Sequence, residues 1–236
     1  MKKVLITGAS QGIGYQTARL LAAKGYSLIC IARNADQLEK LRADFPQLIK
    51  IYSCDVTDYE RLQSIRKELD ANDFLPDVVV NNAGMGYFEK IEDGPIDHWH
   101  RMVDINVKGV MNVIHVFLPN LIDVHGLIIN VGSVASHQVF PNSVMYAATK
   151  HAVKAICDGI RLELAGKVKV TMISPGAVNT GFIDTTTDEK MLADYKQYFA
   201  TAMDPYAVAL QIQHCIEAPE NTVISEVIIR PDRPVK

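Results

Sequence analysis

Lys3-Val4-Leu5-Ile6-Thr7-Gly8-Ala9-Ser10-Gln11-Gly12-Ile13-Gly14 is a short apolar strand running straight into a glycine-spaced turn and a helix start. Gly8 suits the positive φ that a strand-to-helix reversal needs. Gly12 leaves room for a pyrophosphate to approach the backbone, and Gly14 lets the following helix lie close to the strand. The amides at that helix N-terminus face outward toward an anion. Three glycines at this spacing are weak evidence alone; what strengthens them is Asn81-Asn82-Ala83-Gly84, Ser133 and Tyr146-x-x-x-Lys150 following in order.

Strand-like apolar runs recur at 4–7, 27–32, 49–53, 78–81, 127–131, 169–174 and 223–229. Helical apolar spacing fills the intervals at 13–24, 35–45, 59–71, 97–121, 144–164 and 205–216. Such alternation means repeated βαβ units. Runs as apolar as Val78-Val79-Val80 imply strands covered on both faces. The expected fold is therefore α/β, a doubly wound, mainly parallel seven-stranded sheet with helices on both faces and ligands at the strands' carboxyl ends. With 236 residues, 48% of them hydrophobic, the chain fits one domain spanning 1–236. The one interruption is 180–202, polar at first and then helical with Tyr195, Tyr198 and Phe199. It is either a substrate-side lid or a surface helix.

A formal charge of -3 and the lack of a basic run argue against nucleic-acid binding. No continuous apolar stretch approaches the roughly 18 residues of a membrane span. Four separated cysteines without a C-x-x-C pair point to a reducing cytoplasm, and the seven histidines show no metal-ligand spacing, so no metal is expected.

Together, Thr7-Gly8-x-x-x-Gly12-x-Gly14, Asn81-Asn82-Ala83-Gly84, Asn106, Ser133, Tyr146-x-x-x-Lys150 and Pro175-Gly176 resemble the short-chain dehydrogenase/reductase family, from the first strand to the last. The resemblance implies a Rossmann fold and hydride transfer between a nicotinamide and the carbonyl or alcohol carbon of a small-molecule substrate. In that reading Tyr146 moves the alcohol proton, Lys150 lowers the tyrosine pKa and holds the nicotinamide ribose, and Ser133 bonds the substrate oxygen. Asn106 holds a water linking Lys150 to solvent.

The chemistry supports the pair. A phenol titrates at about pH 10, and an ammonium about 4 Å away at an effective dielectric near 20 favours phenolate by roughly 4 kcal/mol before desolvation is subtracted.

The cofactor contacts implied are Gly8, Ser10, Gln11, Gly12, Ile13 and Gly14 in the first turn, Asp55-Val56 at the adenine, and Asn82, Ala83 and Gly84 at the fourth strand. Tyr146 and Lys150 follow, with Pro175, Gly176, Val178 and Thr180 about the nicotinamide. The second strand ends without an acidic residue, and Arg33 offers a guanidinium to a 2′-phosphate, favouring NADP over NAD, although Gln11 stands where many NADP-using relatives carry a basic residue.

The pocket floor is expected from 85–87, 135–140, Met145 and 180–202, with His137 and Gln138 either bonding a second substrate oxygen or exposed in a loop. The chain's length and its ending resemble NADP-dependent members acting on small 3-hydroxy acids such as serine. Other readings are a reductase of bulkier ketones or dicarbonyls, a non-catalytic NADP-binding redox sensor, and isomerisation with a tightly held cofactor. The resemblance also implies a homo-oligomer, a tetramer or dimer, formed through helices 97–121 and 144–164. Met111, Val113, Ile114, Val116 and Phe117 are compatible with a second apolar face.

Overall fold

The computed structural model describes residues 2–182, 192–193 and 201–232. Seven parallel strands, β1 (Lys3–Thr7), β2 (Ser27–Ala32), β3 (Ile49–Ser53), β4 (Val78–Asn81), β5 (Leu127–Val131), β6 (Lys169–Pro175) and β7 (Glu226–Ile229), form one sheet in the order β3-β2-β1-β4-β5-β6-β7. The chain winds outward from β1 to β3, returns to β4 and continues to β7. Between β1 and β4 the winding reverses, and a crevice opens at the strands' carboxyl ends.

Alternate strand residues feed two cores. Val4, Ile6, Leu28, Cys30, Val78 and Val80 meet α1 (Gly12–Ala23), α2 (Ala35–Asp44) and the helix Pro205–Ile216, here α7. Leu5, Ile29, Val79 and Ile128 meet α3 (Tyr59–Ala71), α5 (Gly109–Asp123) and α6 (Val144–Glu163). Period-two alternation along strands apolar on both faces has placed helices on both sides, as the sequence predicts.

Three details depart from expectation. β7 is shorter than 223–229, and just before it the Thr171 hydroxyl donates to the Ile224 carbonyl at 2.7 Å. The segment 97–121 falls within a slightly longer helical rod, α4 (Ile96–Val103), a π-helical turn (Asp104–Lys108) and α5, and the π-helical turn is the part that periodicity does not show. This rod, Ile96–Asp123, is long and apolar enough to cross a membrane, with an 18-residue window of mean hydropathy 1.3, yet half of that window is buried inside the fold. Finally, Val113, Ile114, Val116 and Phe117 are spent on the core beneath α5, and only Met111 of the five stands exposed.

Candidate active site

The reversal between β1 and β4 is laced together by side chains. The Thr7 hydroxyl oxygen accepts from the Asn82 and Ala83 amides, both at 3.0 Å, while Asn82 Nδ2 donates to the Thr7 and Gly8 carbonyls at 2.9 and 3.2 Å. Gly8 turns at φ 66°, and a Cβ there would press to 2.9 Å from Ala83 Cα. Gly14 belongs to the same knot. A Cβ on it would be driven into the Gly8 carbonyl oxygen and to 2.5 Å from Asn82 Nδ2. Gly14→Ala is accordingly expected to lower Tm by roughly 5 °C and to weaken any ligand held by the turn, since overpacking of this kind forces backbone shifts. Thermal denaturation and cofactor titration check this; an unchanged Tm would show that the turn yields freely.

Along the carboxyl edge runs a cavity of about 820 Å³. Gly8, Ser10, Gln11, Gly12 and Ile13 line its β1 side, Arg33, Asp55 and Val56 its β2–β3 side, and Asn82, Ala83 and Gly84 its middle. Ser133, Tyr146, Lys150, Pro175, Gly176, Val178 and Thr180 line the remainder.

Two expected site residues stand behind this surface. Gly14 contributes the close approach just described. Asn106 is buried in the π-helical turn, a helix irregularity frequent at functional sites. Its carboxamide clamps Met85, accepting from the Met85 amide and donating to its carbonyl, both at 2.8 Å, and also donates to Thr149 Oγ1 at 3.0 Å.

Tyr146, Thr149 and Lys150 lie on α6, and the Thr149 hydroxyl bonds back to the Tyr146 carbonyl at 2.7 Å. Thr149 escapes the sequence reading. Its one signal there is a helix-interior threonine on the face between Tyr146 and Lys150. Ser133 caps the 3₁₀ turn Val134–Ser136, accepting from the Ala135 amide at 3.0 Å, and its hydroxyl faces the Tyr146 phenol. The turn's cap and a cavity-lining hydroxyl are thus the same side chain.

Burial reverses the direction expected from an adjacent ammonium. It pushes the Tyr146 phenol up to about 12, the Ser133 hydroxyl acting weakly the other way. The Lys150 ammonium, donating to the Val131 carbonyl at 3.0 Å and standing 5.8 Å from the Tyr146 ring centre, is itself pushed down to about 8 by burial. Both groups lose hydration, and that loss disfavours the charged form of each.

The pocket floor is corrected likewise. Met85, Ala135, Phe140 and Phe182 line the cavity, joined by Phe88. Tyr87 and Met145 line a separate small crevice behind it. His137 and Gln138 stay off the cavity; His137 Nε2 lies 2.9 Å from Glu226 Oε1 and 3.1 Å from Ser174 Oγ, tying the turn to the edge strand. Most of 180–202, and with it the lid expectation, lies outside the described residues. Among the described residues no three His, Cys, Asp or Glu side chains converge as a metal site would need.

The short chain dehydrogenase family profile matches residues 2–191, most of the chain and all of the site's glycine turn and Tyr-Lys helix. The chain belongs to that family. This short-chain dehydrogenase is 40% identical over 236 residues to an uncharacterized oxidoreductase of Staphylococcus saprophyticus, covering 98% of this chain and 96% of the relative. The closed form of a serine dehydrogenase complexed with NADP+ superposes with TM-score 0.92 at 28% identity, over 97% of this chain and 94% of that one. An alcohol dehydrogenase from the archaeon Thermococcus sibiricus, complexed with 5-hydroxy-NADP, gives TM-score 0.88 at 30% identity over 99% of both chains. The family is one of oxidoreductases, and the parallel Rossmann-type sheet is its fold.

Proposed function

We propose that this single-domain chain is an NADP(H)-dependent oxidoreductase acting on the carbonyl or alcohol carbon of a small substrate. The observation that carries the reading is one continuous cavity joining the glycine turn to Ser133, Tyr146 and Lys150. NADP-type ligands in two neighbours that align over nearly the whole chain support the cofactor.

The residues fit such a ligand. The β1 turn offers backbone where a side chain would intrude, Asp55 and Val56 would flank an adenine, and Arg33 would meet a 2′-phosphate. Asn82, Ala83 and Gly84 would line the middle of the dinucleotide. Pro175, Gly176, Val178 and Thr180 would surround the nicotinamide, and Lys150 would hold its ribose. When bound, NADPH supplies the hydride that becomes the new C–H bond at the carbonyl carbon and leaves as NADP+, the reverse holding for alcohol oxidation.

Tyr146, kept as a neutral phenol by burial, donates its proton to the carbonyl oxygen, and Ser133 holds that oxygen beside it. Asn106 positions Met85 and Thr149; its Oδ1 and the Lys150 amine both flank Gly84, at 3.3 and 3.6 Å from the place of a Cβ, which supports a water held by Asn106 that links Lys150 to solvent. Four free thiols, all buried, support a reducing cytoplasm as the location, and a homo-oligomer is tested by light scattering.

Arg33 tests the cofactor choice. Its guanidinium is 63% exposed and only 3.8 Å from Asp55 Oδ2, a surface pair of little strength that leaves it able to turn to a phosphate. Arg33→Asp removes a charge-assisted pair and adds repulsion, and is expected to weaken NADPH relative to NADH by roughly 2 to 4 kcal/mol. Fluorescence titration with both cofactors decides it. Equal losses would make Arg33 a surface residue, and no saturable binding of NADPH at millimolar concentration by the parent protein would remove the reading.

A further inference from the structure

The cavity wall facing Tyr146 is aromatic and held in place. The Phe88 ring centre lies 5.6 Å from that of Tyr146, the Phe182 ring centre 5.5 Å, and the two phenylalanines are 6.3 Å apart, so both present rings to the phenol. Such tilted pairs leave apolar ring surface toward the reacting end of the cavity.

Phe88 is fixed by its neighbours. Glu89 places Oε2 2.8 Å from His98 Nδ1 and accepts from Trp99 Nε1 on Oε1 at 3.2 Å, both partners on α4, while its amide donates to the Asn142 carbonyl at 2.9 Å. On the other side Tyr87 stacks flat on His98, ring centres 3.7 Å apart at 8°. A residue bracketed by two such contacts is preorganised, which is what lets a wall discriminate.

Charge is distributed the other way. Among the described residues lining the cavity the cations are Arg33, beside Asp55 at the β2–β3 side, and Lys150, whose amine already donates to the Val131 carbonyl. A substrate carboxylate brought between these rings would lose hydration, and among the described residues the cation at that end, Lys150, already shares its charge with the Val131 carbonyl.

We infer that the substrate is a neutral ketone or secondary alcohol with an apolar, ring-sized substituent, seated against Phe88 and Phe182 with its oxygen at Tyr146 and Ser133, and that 3-hydroxy acids are poor substrates. The inference rests on the oxidoreductase reading above and names its substrate class. It departs from the 3-hydroxy-acid expectation because the walls of the cavity, unlike its motifs, are aromatic.

The test is NADPH oxidation by the full chain with 4-methylacetophenone and 4-acetylbenzoate, which share ring and carbonyl and differ by methyl against carboxylate, together with NADP+ reduction by L-serine and 3-hydroxybutyrate. The methyl ketone is expected to exceed the carboxylate in kcat/KM by about 100-fold, because the unpaired charge is rejected. Phe88→Leu, which keeps bulk and removes the ring, is expected to raise KM for the methyl ketone about tenfold while NADPH affinity stays unchanged. A kcat/KM ratio under about tenfold, preferred oxidation of serine or 3-hydroxybutyrate, or an unchanged KM in Phe88→Leu overturns the inference. Failure to turn over either ketone while NADPH still binds overturns it too and leaves the oxidoreductase reading standing. Loss of NADPH binding by the parent protein is the separate failure of that reading.

Discussion

Tyr146→Phe is expected to lower kcat by at least about 10²-fold while leaving NADPH affinity and Tm near those of the parent, because it removes one proton and little packing. The ring remains between Phe88 and Phe182, so the wall keeps its shape. Only the hydroxyl that meets Ser133 is lost. Since burial raises that phenol to about 12, it remains protonated well above neutrality, and carbonyl reduction is expected to show no loss from phenol ionisation there. A decline in activity above about pH 8 would instead report the lysine, which loses its proton in that range. Steady-state kinetics across pH with a cofactor titration separate these effects. Near-normal turnover in Tyr146→Phe would move the proton to another group.

Lys150→Met is expected to make the free protein more stable and the enzyme nearly inactive. Burial lowers the amine from 10.5 to about 8, so at pH 7 the folded state carries a penalty of about 3 kcal/mol for keeping it charged. The sign follows from proton uptake. Between pH 8 and 10.5 the unfolded chain holds this proton more tightly than the folded one, so the amine's contribution to stability rises with pH across that window and its cost is fully present below it.

Methionine removes the charge at similar length, while the Val131 carbonyl loses its donor at a cost of about 1 kcal/mol. A Tm gain of roughly 4 to 8 °C at pH 7 is therefore expected, shrinking toward the alkaline end of the window. Cys30, Cys54, Cys215 and Tyr52, all with raised pKa values, titrate alike in both proteins and cancel in the difference. Turnover should fall by at least about 10²-fold as the charge beside the phenol disappears. Lower stability together with lower activity would mean that the ammonium serves the fold.

Much of the site was legible because its signals are local. Tyr146 and Lys150 share a helix face at i and i+4, the β1 glycines mark a turn that side chains would block, and the strand ends that carry Arg33, Asp55, Asn82 and Ser133 follow from strand boundaries. Asn106 stood out in the sequence through the family resemblance, but its burial as a clamp on Met85 did not, since a π-helical turn has no single-residue signature. The Phe88 wall was less legible still. Phe88, Glu89, His98 and Trp99 are scattered letters until α4 folds back onto the segment after β4.

The sequence by itself determined the parallel doubly wound sheet, the glycine turn and the shared helix face of Tyr146 and Lys150, whereas Ser133 joined them only through the family resemblance until the fold lined one cavity with all three. Periodicity, turn geometry and helical spacing act over a few residues and survive without knowledge of neighbours. Only the tertiary structure decided the direction of the Tyr146 and Lys150 pKa shifts and the aromatic character of the substrate wall. Those depend on how completely water is excluded and on which distant rings converge, and solvent exclusion belongs to the assembled fold rather than to any segment of the chain.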